Sequence, residues 1–76
     1  MTPQDTAAYA QGVTPADTIP ITDCVADTKN LQAVATTTDG QRYRIPLYSE
    51  GETISLAAAV KERGWIKPAY WSPIGP

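Results

Sequence analysis

Histidine is absent from this chain of 76 residues, and a single cysteine, Cys24, is present. Without histidine the commonest general base is gone, and with it the Ser-His-Asp and Cys-His arrangements and the usual zinc ligand sets. A lone cysteine allows no intrachain disulfide. Its neighbours Asp23 and Asp27 would raise the thiol pKa, so Cys24 reads as a small buried hydrophobe and not as a nucleophile. Glycine-rich phosphate loops are missing too. The five glycines, at 12, 40, 51, 64 and 75, are scattered, and each suits a turn or a cap. The carboxylates sit beside turn and cap residues that account for them locally, so no catalytic residue, no cofactor and no metal site is expected. Nor is there an apolar run near the roughly 18 residues of a membrane span. A signal peptide would need a basic start and an apolar stretch, whereas residues 1–11 are polar and acidic, so a cytoplasmic protein is expected.

Positive charge is lacking from the first part of the chain. Residues 1–28 hold Asp5, Asp17, Asp23 and Asp27 with no Lys or Arg, while all six basic residues come later. The net charge of −2 is far from that of a basic binding domain and argues against nucleic acid as the partner. A domain this short buries only about 60 to 65% of its unfolded surface, so its stability is small and a partner would help.

What is present divides into an acidic N-terminal arm, residues 1–18, and a small domain, residues 19–76. The arm carries Thr-Pro-x-Asp-Thr twice, at 2–6 and 14–18. This is a helix-start pattern, with threonine as cap, proline at the first helical position and aspartate at the positive end. Only a marginal helix or a disordered arm follows from it. Residues 19–26 read as a strand with imperfect alternation. Residues 31–48 read as a hairpin around Thr37-Thr38-Asp39-Gly40. A three-residue loop with Gly40 in the left-handed bulge position pairs Leu31, Ala33 and Ala35 with Leu47, Ile45 and Tyr43. That register is preferred because it gathers the apolar members on one face. The other face then carries Gln32, Val34, Thr36, Arg42, Arg44 and Pro46, and Pro46 makes this strand an edge or ends it.

Ser49 and Glu52 form a capping box, although Gly51 could delay the helix to Thr53. Ile54, Leu56, Ala57 and Val60 are expected to form the buried arc. Gly64 stops the helix and places Trp65 against Val60. The last twelve residues hold both tryptophans among prolines 68, 73 and 76, and residues 66–76 are expected to run extended over the surface. The fold class is therefore α+β: a small single domain with a hairpin or three-stranded antiparallel meander, one packed helix and an extended C-terminal tail.

Arg42 and Arg44 point to one side of the strand and suit bidentate contact with carboxylate or phosphate. A solvated face, or pairing with the chain's own acidic segment, is the plain alternative. With Tyr48, Lys67, Tyr70 and Trp71 they make up the candidate partner-binding set, since aromatics and arginine dominate binding hot spots, although for Tyr70 and Trp71 folding back over the hairpin and docking on another protein are equally open. The expected function is a non-enzymatic protein-binding module, a small regulator or inhibitor that occupies a surface of a larger protein, of a size that suits a phage or accessory-gene product. The alternatives are a nucleic-acid contact protein using Arg42, Arg44 and the aromatic tail, and a structural assembly subunit. A homodimer through the free hairpin edge is a further expectation. Deleting residues 68–76 should then leave the chain folded and remove partner binding.

Overall fold

In the computed structural model, residues 17–75 are described. Both copies of the repeated helix-start pattern lie outside them, apart from Asp17 and Thr18 of the second. The chain runs β1 (Ile19–Asp27), β2 (Gln32–Thr37), β3 (Arg42–Pro46), α1 (Glu50–Arg63), β4 (Trp65–Ile66), a 3-10 turn (Pro68–Tyr70) and β5 (Ser72–Pro73). The strands form one curled antiparallel sheet in the order β4-β1-β2-β3-β5. The expected meander is thus its centre, and the tail adds a strand at each edge.

The β2–β3 hairpin takes the register that gathers its apolar residues. Ala33 pairs with Ile45 and Ala35 with Tyr43, and the Leu47 N–H donates to the Leu31 carbonyl at 2.8 Å. The loop closes with the Gly40 N–H on the Thr37 carbonyl (3.0 Å) and the Thr37 N–H on the Gln41 carbonyl (2.8 Å), with Gly40 at φ +90°. That left-handed residue is the bulge that a type I turn needs before the strands resume pairing. Asp39 accepts from the Thr37 hydroxyl and from the Gln41 N–H, and the Thr37 bond is the main cause that lowers its pKa below the usual carboxylate value.

Strand β1 alternates imperfectly for a physical reason: its register against β2 shifts between Ile21 and Asp23. Before this bulge the odd positions Ile19 and Ile21 face the core, and after it the even positions Cys24 and Ala26 do. Cys24 pairs with Ala35 and Ala26 with Ala33. The middle of the sheet is therefore floored by small residues, over which α1 can approach closely.

Ser49 caps α1, its hydroxyl accepting from the Glu52 N–H at 3.1 Å. The return bond falls one residue earlier than a capping box predicts, because Glu52 Oε1 accepts from the Tyr48 N–H at 3.2 Å. Gly51 does not delay the helix, which starts at Glu50. The buried arc corrects the sequence expectation, since Thr53, Ala57 and Val60 are buried while Ile54 is half exposed. Positions 53, 57 and 60 share one helical line, and the Thr53 hydroxyl is satisfied there by donating to the Ser49 carbonyl at 2.7 Å. Ile54 lies a further 100° round the helix.

Gly64, left-handed at φ 86°, ends the helix with its N–H on the Val60 carbonyl. The residue that then enters the core beside Val60 is Ile66, not Trp65. Strand β4 alternates, and Ile66 pairs with Ile19 on the core side, which turns Trp65, opposite Pro20, to the other face. Trp65 is still buried. The Arg63 guanidinium lies 4.0 Å from its ring centroid, and Arg63 Nε donates to its carbonyl at 3.1 Å.

Candidate partner-binding face

Six residues carry the sequence-based site expectation, and the fold divides them. On β3, alternation sends Tyr43 and Ile45 to the helix side, where they pack against the core, and leaves Arg42 and Arg44 exposed on the other. Across the hairpin these arginines face Thr36 and Val34. No side-chain hydrogen bond or ion pair joins either guanidinium to another described residue. Their carbonyl edge is occupied, however. Arg44 pairs with Ser72 and Tyr43 with Pro73, and the Ile74 N–H donates to the Arg42 carbonyl at 2.9 Å. The edge expected to remain free for a second copy of the chain is covered by the chain's own tail, so a homodimer through it loses its site.

Tyr48 leaves β3 just before the helix cap, 93% exposed, with its N–H tethered by Glu52. Tyr70 ends the 3-10 turn and is 71% exposed. Continued from Arg44–Ser72, the antiparallel register would set Tyr70 level with Pro46, so Tyr48 and Tyr70 mark the same end of the arginine-bearing strand. Lys67 lies half-buried ahead of the turn, with its carbonyl taken by the Tyr70 N–H at 3.0 Å.

Trp71 departs from the expectation. It is 8% exposed and belongs to the core cluster with Ile66, Val60 and Cys24. Its N–H closes the 3-10 turn on the Pro68 carbonyl at 3.1 Å, and its side chain is buried where that of Tyr70 is exposed. It is therefore a core residue and not a surface aromatic. The tail folds back over the hairpin as part of the sheet, so removing 68–76 takes away a strand and a core residue and, contrary to the sequence expectation, does not spare the fold.

Sequence reasoning missed the residues that flank the arginines from the tail. Between the hairpin tip and β5 lies an open groove of about 530 Å³, lined by Gly40, Gln41, Arg42, Pro73, Ile74 and Gly75. Arg42 is its one charged lining residue. Nothing local in the sequence marks this groove, because it forms only when two residues of tail pair with β3.

Cys24 lies on the opposite side, buried under α1. Burial first, and Asp23 second, push its thiol pKa from 9.0 up to about 11, against the opposing pull of Arg63 and Lys61. Asp23 itself is held by the Lys61 ammonium at 3.2 Å. The folded thiol thus stays neutral at physiological pH. An acid whose folded pKa is raised stabilises the fold below its unfolded value and loses that contribution above it. Stability should accordingly decline as pH rises from about 9 toward about 11. A Cys24→Ala variant should show a flatter pH profile in urea unfolding, and an unchanged slope would contradict the assignment. Among the described residues no three Cys, Asp or Glu side chains gather as a metal ion would require.

No protein-family model matches the chain, and neither a curated protein nor a solved structure matches it.

Proposed function

We propose that this chain is a non-enzymatic protein-binding module, a small regulator or inhibitor that works by occupying a surface of a larger partner protein. One observation carries the reading: Arg42 and Arg44, with no ion-pair partner among the described residues, are exposed on β3, and two tyrosines, 93% and 71% exposed, stand near the Pro46 end of that strand, whose alternate residues Tyr43 and Ile45 pack on the core. Tyrosine and arginine are the residue types that most often anchor interfaces, because each combines large contact area with hydrogen-bonding capacity. The active set is Arg42, Arg44, Tyr48 and Tyr70. Lys67 flanks it, and Trp71 supports it from the core. No described helix is long and apolar enough to cross a membrane. A cytoplasmic site of action belongs to this proposal.

A tagged chain purified from its native cell should bring down a protein partner, and a Tyr48→Ala/Tyr70→Ala variant with an unchanged melting curve should not. Equal capture by the variant would refute the reading. The assembly-subunit alternative predicts instead that the captured protein is a multi-copy structure in which this chain is stoichiometric. The nucleic-acid alternative predicts oligonucleotide binding that falls steeply with salt.

A further inference from the structure

Arg42 and Arg44 stand two residues apart on one strand face, roughly 7 Å at the rise of a β-strand. Each is exposed, and neither has a carboxylate among the described residues to offset it. Two exposed like charges at this spacing repel each other, and an anion that bridges or pairs them relieves the repulsion. An extended polypeptide has the same two-residue repeat, so acidic side chains at alternate positions would meet both guanidinium groups at once, each in the two-pronged geometry that arginine favours with carboxylate. At the Arg42 end the surface turns concave and apolar, where Pro73 and Ile74 line the groove beside the hairpin tip. Acidic character at one end and an apolar contact at the other are what the surface complements.

We infer that the partner presents an extended acidic segment, with two carboxylates two residues apart on Arg42 and Arg44 and an apolar side chain beyond them in the groove of Gln41, Pro73 and Ile74. The inference rests on the protein-binding reading and specifies its partner. Polyanionic nucleic acid fits less well, because the chain as a whole carries −2 and the groove beside Arg42 offers apolar surface where a further phosphate would need a cation.

The full chain should be titrated, at low salt and by fluorescence anisotropy, with a short labelled peptide carrying Leu-Gly-Glu-Gly-Glu. Its twin with Gln for both Glu and a short oligothymidylate serve as comparisons. The acidic peptide should bind, and the Gln twin should bind about tenfold more weakly or worse, the size that two exposed charge-assisted pairs supply together. R42E/R44E should lose the acidic peptide with its circular dichroism unchanged. K29E, which reverses an exposed cation in the β1–β2 turn, should keep it. Equal affinity for the two peptides, failure of the acidic peptide to bind, retention by R42E/R44E, or preference for oligothymidylate would each overturn the inference. A native protein partner that R42E/R44E still captures would overturn the acidic assignment and leave the protein-binding reading standing. Loss of that reading itself requires capture to be insensitive to Tyr48 and Tyr70.

Discussion

Replacing Trp71 with alanine is expected to remove most of the domain's stability and to move its urea midpoint close to zero denaturant. Truncating a buried aromatic costs about 3–5 kcal/mol, the lost transfer energy plus the cavity left behind. A domain of this length has a net stability near the lower end of the usual range of about 5–15 kcal/mol, so one such loss removes most of it. The damage is not confined to the cavity. Trp71 separates the 3-10 turn from β5, and without its ring in the core Ser72 and Pro73 are held on β3 only by backbone pairing and the Ile74 N–H bond to the Arg42 carbonyl, so the outer edge of Arg42 to Arg44 would loosen as well. Removal of residues 68–76 should do at least as much. Urea unfolding followed by far-ultraviolet circular dichroism checks this. A Trp71→Ala variant with a wild-type midpoint would show that the tail does not belong to the core.

Ile66→Ala should be the next most damaging single change. Ile66 is 0% exposed and sits between β1 and the end of α1. Large-to-small truncation at such a site costs about 2–5 kcal/mol. At about 4–8 °C per kcal/mol for a domain of this size, the melting temperature should fall by roughly 10 °C or more. Trp65 is as buried as Trp71, at 8% exposed, but its ring lies against the Arg63 guanidinium outside the cluster that holds Ile66. A thermal melt of Ile66→Ala that stays within a few degrees of wild type would contradict this division.

The contrast between Trp65 and Ile66 shows where the fold could be read from the chain and where it could not. The hairpin was legible because local chemistry determines it: Asp39-Gly40 sets the turn, and a one-residue slip would turn Ala33 and Ala35 away from the helix. The helix start was legible because Ser49 and Glu52 act within four residues of each other. The buried arc was misjudged at Ile54 because hydrophobicity alone ranks isoleucine above threonine, while the backbone supplies the partner that lets Thr53 be buried. Trp65 was misjudged because a helix-end rule places the next apolar residue inward, whereas here the chain enters a strand and the following residue takes that place. The bulge that shifts β1 left only a broken alternation as its trace.

The candidate face was legible in part. Arg42 and Arg44 fall on one side of β3 by alternation alone. Trp71 and the groove were not legible, because both depend on residues 72–74 meeting residues 42–44, a contact with no local signature in the sequence. One clue was available: a strand flanked by Pro46 and lacking a neighbour needs something to cover its edge, and the tail was the remaining segment able to do it.

Adjacent residues take opposite directions: Tyr70 is 71% exposed and is the proposed partner contact, while Trp71 is buried in the core. Capture of partner protein from native extract by Tyr70→Ala, with its thermal melt as the control, tests this most directly. The predicted result is a wild-type melting temperature together with clearly reduced capture. Undiminished capture, or a Tyr70→Ala variant that unfolds, would contradict the account.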